Sequence, residues 1–278
     1  MNSIMQRLKK ISYIRKGVKT LKGLKYSIGA KYYCPVCNRK INRFHPLPKF
    51  YSNNAKKHGY PYIGKAETLN YQNYSCPICG SSDRDRLYAL YIRNYFARIK
   101  NDTQISIIDI APSAPLSDHI RKIISESKQN VSYRTADIAM ENVDDKIDIT
   151  DMSCYNNNQF DFFICSHVLE HVPDDNKALS ELFHILKPGG SGILMVPICL
   201  AIQEIDEDLT VTDESERWRR FGQNDHVRLY SKNGFIDRVG KAGFLLHQYG
   251  EKYFGEKIFM ECGITEQSIL YVAEKNKV

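Results

Sequence analysis

From about residue 104 onward the chain alternates two hydrophobic rhythms. Short apolar runs, "ISIIDI", "FDFFICS" and "GILMVPI", have the length of strands buried on both faces. Between them apolar residues recur every three to four positions. Leu116, Ile120, Ile123 and Ile124 form one such stripe, and Leu179, Leu182, Phe183 and Leu186 another, each the signature of a helix packing one face. "VSYRTADI", the short "KIDIT", "GFLLHQYG" and "QSILYVAE" add further strands, and a helix is expected near 231–242. Strands separated by helices predict an α/β fold with a parallel, doubly wound sheet. The second helix is expected to stop at "KPGG", with Gly189 at its C-terminus.

Ahead of this body the pattern changes. Ile4, Leu8, Ile11, Ile14, Val18, Leu21 and Leu24 lay an apolar stripe along a helix within residues 1–31, whose other faces carry Arg7, Lys9, Lys10, Arg15, Lys16, Lys19 and Lys22. Such a basic amphipathic helix suits an anionic membrane surface, or packs its stripe on the rest of the protein. A further helix carrying Leu87, Leu90, Tyr91 and Tyr95 links the head to the body over 85–103.

Charge sharpens the division. The first acidic residue is Glu67, and 16 of the 39 Lys and Arg precede it. The remainder is acidic overall, so a basic head sits on an acidic body and calls for an anionic partner. The N-terminus has no apolar core of a secretory signal, and no run is long enough to span a membrane. A cytoplasmic protein is expected, peripheral at the inner membrane face where the basic helix binds it.

Cysteine usage adds chemistry. "CPVC" (Cys34, Cys37) and "CPICG" (Cys76, Cys79) are separated by 38 residues. A two-residue gap aims two thiolates at one tetrahedral ion, and Gly80 suits the turn that closes the second knuckle. Structural Zn2+ held by the four cysteines is expected in a zinc-ribbon domain over 32–84, with His45 and His58 as substitute ligands within reach of the same segment. Cys154, Cys165, Cys199 and Cys262 read as small buried hydrophobes.

In an open α/β sheet, ligands bind at the carboxyl ends of the strands where the strand order reverses. Asp109 ends the first strand, and Asp137 the second, a position suited to ribose hydroxyls. Asp148 and Ile149 close the third, where a carboxylate and a backbone amide suit an adenine edge. The turn after the first strand, "DIAPSAP", lacks glycine. Ser113 is expected to cap the following helix, and Pro115 fits its first turn.

The block "FDFFICSHVLEHVPDDNKALSELFHILKPGGSGILMVPI" resembles the fourth-to-fifth-strand core of class I S-adenosylmethionine-dependent methyltransferases. "FGQNDHVRLYSKNGFIDRVGKAGF" is similar to the region that follows it in bacterial members. The paired knuckles ending "CPICGSSDRDRLYALYIR" resemble a bacterial subgroup with an N-terminal zinc ribbon. The resemblance implies a Rossmann-like, seven-stranded sheet over 104–278 and S-adenosylmethionine as cofactor, held by Asp109, Ala111, Ser113, Asp137, Ile138, Asp148, Ile149, Ser166 and His167. S-adenosylmethionine has no phosphate, so a glycine-poor turn still suits it.

His167, and Asp225 with His226 in "QNDHVR", are the candidate bases for an acceptor hydroxyl. The Asn/Asp-Pro-Pro-aromatic tetrapeptide of amino-methylating enzymes is absent, since "SHVL" stands in its place; an oxygen or carbon acceptor is expected. "HVLEH" (His167 to His171) also matches the H-x-x-E-H pattern of inverted zinc proteases. That chemistry needs both histidines on one continuous helix, whereas "FDFFICS" makes His167 a strand-end residue, and Glu170 and His171 are expected to fix the turn. The expected acceptor is a small molecule or glycan, a sugar hydroxyl of a surface glycan or its precursor. RNA is the alternative, with Tyr51, Tyr60, Tyr62, Tyr71 and Tyr74 as stacking surfaces or as the ribbon's small core. A catalytically inactive binding protein is the third reading. The acidic stretch of Glu204, Asp206, Glu207 and Asp208 is expected to repel a polyanion.

Overall fold

The computed structural model describes residues 24–99, 103–127 and 129–277. The basic helix read over 1–31 therefore lies outside the described residues, except for its last part, where 24–27 are helical. Among the described residues no helix is long and apolar enough to cross a membrane.

The head opens with a hairpin of β1 (Tyr32–Cys34) and β2 (Arg39–Ile41), which carries the first cysteine pair. Helix α1 (Lys49–Lys57) follows, then an irregular path to the second pair and helix α2 (Asp83–Arg98). The start of α2 is a capping box: Ser82 Oγ accepts from Asp85 N at 3.1 Å, and Asp85 accepts from Ser82 N at 2.8 Å. Its Leu87, Tyr88, Tyr91 and Ile92 are buried against the sheet.

The body runs β3 (Gln104–Ile110), α3 (Ala114–Glu126), β4 (Asn130–Asp137), β5 (Asp145–Lys146), β6 (Phe160–Ser166), α4 (Asp175–Ile185) and β7 (Leu186–Met195). Then come β8 (Asp206–Glu207), α5 (Glu214–Phe221), β9 (Arg228–Leu229), α6 (Lys232–Lys241), β10 (Leu245–Tyr249), α7 (Glu251–Phe254), α8 (Glu256–Glu261) and β11 (Leu270–Glu274). The main sheet has seven strands in the order β10-β11-β7-β6-β3-β4-β5. Strands β3 to β7 are parallel, and β11 pairs antiparallel with both β7 and β10, so the sheet is mixed at one edge. Ile107, Ile108, Phe162, Phe163, Ile193 and Leu194 form its buried centre. The chain leaves β3 toward β4 and later returns to β6 on the other side, which places the topological switch at the carboxyl ends of β3 and β6.

Two local expectations are revised. The third strand is only Asp145–Lys146; Asp148 instead accepts from Thr150 N and Thr150 Oγ1, each at 2.8 Å, and turns the chain away from the sheet. Gly189 is not a helix cap. Helix α4 ends at Ile185 and β7 starts at once, so "KPGG" lies inside the strand, where Gly189 takes φ 76° and donates to Lys275 O at 2.7 Å.

The stretch between the cysteine pairs packs on the body. Glu67, 2% exposed, accepts from Tyr271 Oη at 2.9 Å and pairs with Lys232 at 2.8 Å. Backbone bonds from Glu67 N to Ile198 O and from Leu200 N to Lys65 O stitch the same stretch to the chain after β7. The His58 ring stacks on Trp218 at 6.1 Å and 11°, and Phe50 meets the same indole edge-on. His58 and His45, which bonds Tyr26, are thus taken up elsewhere than at the cysteines. The second pair is tied down by fully buried Arg86, which donates to the carbonyls of Tyr74, Ser81, Cys262 and Gly263. Of the scattered cysteines, Cys165, Cys199 and Cys262 are buried as expected, whereas Cys154 is exposed.

Candidate active site

At the switch point a cavity of roughly 310 Å³ is lined by Asp85, Asp109, Ala111, Ser113, Ser166 and His167, among others. The turn that lacks glycine still makes a glycine-like bend. Ala111 takes φ 51°, and its N–H donates to Ala136 O at 2.8 Å, which holds the end of β3 against β4. A left-handed alanine costs about 1 kcal/mol, a strain typical of functional turns. Ser113 stands at the N-cap of α3 but makes no capping bond with its side chain, contrary to expectation; it lines the cavity. Asp109 is 1% exposed and accepts from Tyr133 Oη at 2.5 Å and Ser117 Oγ at 3.3 Å. Burial pushes its carboxyl up to about 7, with the two hydroxyls opposing the shift. Ser166 bonds Tyr88 Oη at 2.8 Å.

Asp137 ends β4 as predicted. One of its oxygens accepts from Ala139 N and Met140 N, both at 2.6 Å, so the other is the one left for a ligand. Ile138 beside it is 67% exposed, an apolar side chain left mostly to solvent. Asp148 is exposed and Ile149 buried; neither these two nor Asp137 and Ile138 line this cavity.

A second cavity, roughly 180 Å³, adjoins the first, and Tyr74, Arg84 and His167 border both. Its walls come from the stretch between the cysteine pairs and from the chain after β7. Tyr51, Tyr60, Tyr62, Tyr71 and Tyr74 all line it, facing Ile198, Phe221, Gln223 and His226. These tyrosines thus wall a cavity and do not form the ribbon's core. Arg84 was not singled out in the sequence; its signal was the charge run "DRDR" directly after the second knuckle.

The turn after β6 carries the densest group of titratable side chains. His167 sits at φ 58°, a strained position for a side chain with a Cβ. Its Nδ1 lies 3.1 Å from Oε1 of Glu170, which is completely buried. Burial, with Arg84 nearby, holds the His167 pKa down to about 4, so the ring is neutral at physiological pH. His171 Nε2 lies 3.9 Å from the same Glu170 oxygen, and its Nδ1 lies 3.3 Å from Asp225. His226, 3% exposed, directs Nδ1 at Phe221 O (3.1 Å) and has Gln223 Nε2 2.9 Å from Nε2. Asp225 was expected to face the acceptor with His226. Its side chain is 61% exposed and meets His171, so it belongs behind the site. Residues 169–171 form one 3-10 turn, and His167 precedes it at the strand end, so the helix an inverted zinc protease requires is absent here. Arg228, 1% exposed, clamps the turn by donating to the carbonyls of Leu169 (2.6 Å), Val172 and Pro173 (2.8 Å), while Val227 N donates to Glu170 O at 2.9 Å.

Three of the four acids of this stretch, Asp206, Glu207 and Asp208, are paired within the fold. Arg220 pairs with Asp206 and with Asp208 at 2.8 Å, and Glu207 pairs with Arg228 at 3.0 Å and Arg238 at 2.8 Å. It does not present the bare negative face read from the sequence.

At the head, the sulfurs of Cys34, Cys37, Cys76 and Cys79 lie within 4.8 Å of one another. Cys34–Cys79 is 3.7 Å and Cys37–Cys76 is 3.9 Å. Four thiolates at 2.3 Å from a tetrahedral ion are spaced roughly 3.8 Å apart, so the donor set fits Zn2+.

The family described as a methyltransferase domain matches residues 83–249. No curated protein is similar in sequence. Among solved structures the chain is similar to the CurJ carbon methyltransferase at 14% identity and TM-score 0.45, covering 69% of this chain and 57% of that one. The citrinin polyketide synthase CMeT domain gives 11% and 0.48, over 74% of this chain and 55% of that one. A SAM-dependent methyltransferase from Archaeoglobus fulgidus gives 13% and 0.42, over 70% and 95%. The chain thus spans a little over half the length of CurJ. With more than half of its own length matched by one family, the chain belongs to the methyltransferase domain family.

Proposed function

We propose that the chain methylates a hydroxyl of a compact ring acceptor, a sugar unit of a glycan or its precursor, seated in the tyrosine-lined cavity. The observation that carries this reading is the shared border: His167, Arg84 and Tyr74 face the cofactor cavity on one side and the acceptor cavity on the other.

The residues fit S-adenosylmethionine. Asp137 offers its second carboxylate oxygen to the ribose, Ile138 an apolar face to the adenine, and Arg84 a guanidinium that has no ion pair among the described residues to the cofactor's carboxylate. Asp109 and the Ala111 turn shape the floor. When bound, S-adenosylmethionine supplies an electrophilic methyl group on a sulfonium. The chain's own part is to align and to hold a proton. His167, its Nδ1 proton directed at Glu170, keeps Nε2 as the base for the acceptor hydroxyl. The tyrosines exclude water and offer ring faces to the acceptor. Set around one cavity, they suit a single enclosed acceptor ring better than an extended run of stacked bases. The cysteine cluster takes structural Zn2+ and so fixes both ends of the stretch that walls the acceptor cavity. The basic residues before Glu67 suit an acceptor carried on a phosphate, at an anionic membrane face.

Calorimetric titration of S-adenosylhomocysteine into the wild type and Asp137→Ala tests the cofactor site. Micromolar binding weakened about tenfold, or about 1.4 kcal/mol, is expected. No binding to folded, zinc-loaded protein would promote the inactive binding-protein reading. Methyl transfer from labelled cofactor to sugars, but not to RNA, tests the acceptor. Sedimentation with anionic vesicles, lost on deletion of residues 1–31, tests the membrane contact.

A further inference from the structure

We propose that Glu170, His171 and His226 form a binding site for a divalent first-row cation, such as Mn2+, Fe2+, Co2+ or Zn2+, beside the acceptor cavity that His226 lines. Their ligating atoms lie within 4.8 Å of one another. The site is distinct from the four cysteines, and its donors are those of two imidazoles and one carboxylate, a set that binds such ions and leaves coordination positions open.

Three features point to an ion. Glu170 is completely buried, and neither of its carboxylate oxygens makes a well-aligned hydrogen bond. A buried carboxylate in that condition is short of a positive partner. Second, the histidine tautomers follow from what faces Nδ1. Asp225 and the Phe221 carbonyl only accept, so Nδ1 of His171 and of His226 carries the proton and Nε2 is the coordinating atom, the one on His226 now accepting from Gln223. This outer support of a ligating histidine by a carboxylate or a backbone carbonyl is the usual companion of a metal site. Third, His171 Nε2 and Glu170 Oε1 face each other at 3.9 Å, too far apart for a hydrogen bond. An ion between them would engage both atoms. Ligands around a tetrahedral ion with bonds of 2.0–2.2 Å stand roughly 3.4 Å apart, so side-chain rotations of about 1 Å close the site. Gln223, which now donates to His226 Nε2, yields that position to the ion.

Of the three ligands His226 lines the acceptor cavity, so the ion is reached from that cavity on the His226 side. The ligands its open positions take are acceptor oxygens, best a pair of adjacent hydroxyls; this part rests on the methyl-transfer reading, whereas the cation site itself does not.

The test uses the full chain with its cysteine cluster filled by zinc. Mn2+ is titrated and free ion followed by electron paramagnetic resonance, because hard Mn2+ competes poorly for four thiolates. One Mn2+ per chain beyond the zinc is expected, with affinity lowered about tenfold or more in Glu170→Gln and in His171→Asn. His171 is half-buried, so its variant decides the matter if Glu170→Gln fails to fold. Failure of the wild type to bind Mn2+, or equal binding by folded His171→Asn, overturns the site. S-adenosylhomocysteine binding measured on the same preparations separates the two readings. Mn2+ bound without it overturns methyl transfer alone, and it bound without Mn2+ overturns the cation site alone.

Discussion

His167 Nδ1 lies 3.1 Å from the carboxylate of Glu170, three residues on, although the two leave the backbone on either side of a sharp turn. The contact exists because His167 adopts a left-handed backbone and Arg228 ties down the carbonyls that follow. His167→Asn removes the proposed base and keeps a side chain that tolerates that backbone. Methyl transfer should fall by roughly 10² to 10⁴ while S-adenosylhomocysteine affinity stays within about threefold. Unchanged turnover with labelled cofactor would remove His167 from the chemistry.

Ala111 occupies a bend that glycine enters without strain. Ala111→Gly should stabilise the fold by up to about 1 kcal/mol, part of the gain being lost to the freer unfolded chain. Cofactor affinity should hold or rise. A lower thermal midpoint, measured by calorimetry, would show that the alanine methyl packs usefully.

Asp109 titrates at about 7 in the fold, against 3.8 for a free carboxyl, burial being the chief cause. Between those values the folded state keeps a proton that the unfolded chain has lost. Stability therefore declines as pH rises from about 4 to about 7, and the full penalty persists above. Asp109→Asn should flatten that slope, a difference on the order of a few kcal/mol between pH 4 and pH 8. Urea denaturation of both proteins across this range checks it; parallel slopes would mean another group dominates.

Trp218, 5% exposed, receives His58 and Phe50 from the stretch that walls the acceptor cavity. Trp218→Ala should cost about 3–5 kcal/mol and loosen that stretch. Hydrogen exchange should accelerate over 49–57, with S-adenosylhomocysteine binding retained. Exchange unchanged there would mean that Glu67 and the backbone bonds suffice.

Replacing one ligand should empty the cysteine site. Cys76→Ser is expected to lower the zinc content from one per chain toward zero and to lower the thermal midpoint, read by elemental analysis and calorimetry. Full zinc in the variant would exclude Cys76 as a ligand.

The strands of the body, their helices and both cysteine knuckles were legible because each is written in a local pattern: unbroken apolar runs, stripes at helical spacing, pairs with a two-residue gap. Asp109 and Asp137 followed from their places at strand ends. The third strand and Gly189 were misread because pairing partners set where a strand stops and starts, and those partners lie far along the chain. The tyrosines were misassigned for a related reason. Composition showed that they interleave with basic residues, but not which surface they face.

By itself the sequence determined a parallel α/β body, a metal-type cysteine pattern, a basic head and a turn after the fourth body strand rich in histidine. Tertiary structure alone decided that Tyr51 to Tyr74 wall a cavity against Phe221 and His226, that Asp225 turns away to support His171, and that Glu170 and His226 converge. Periodicity records which face of an element is buried. It does not record which distant segment buries it, and the tyrosine-lined cavity is made where such segments meet.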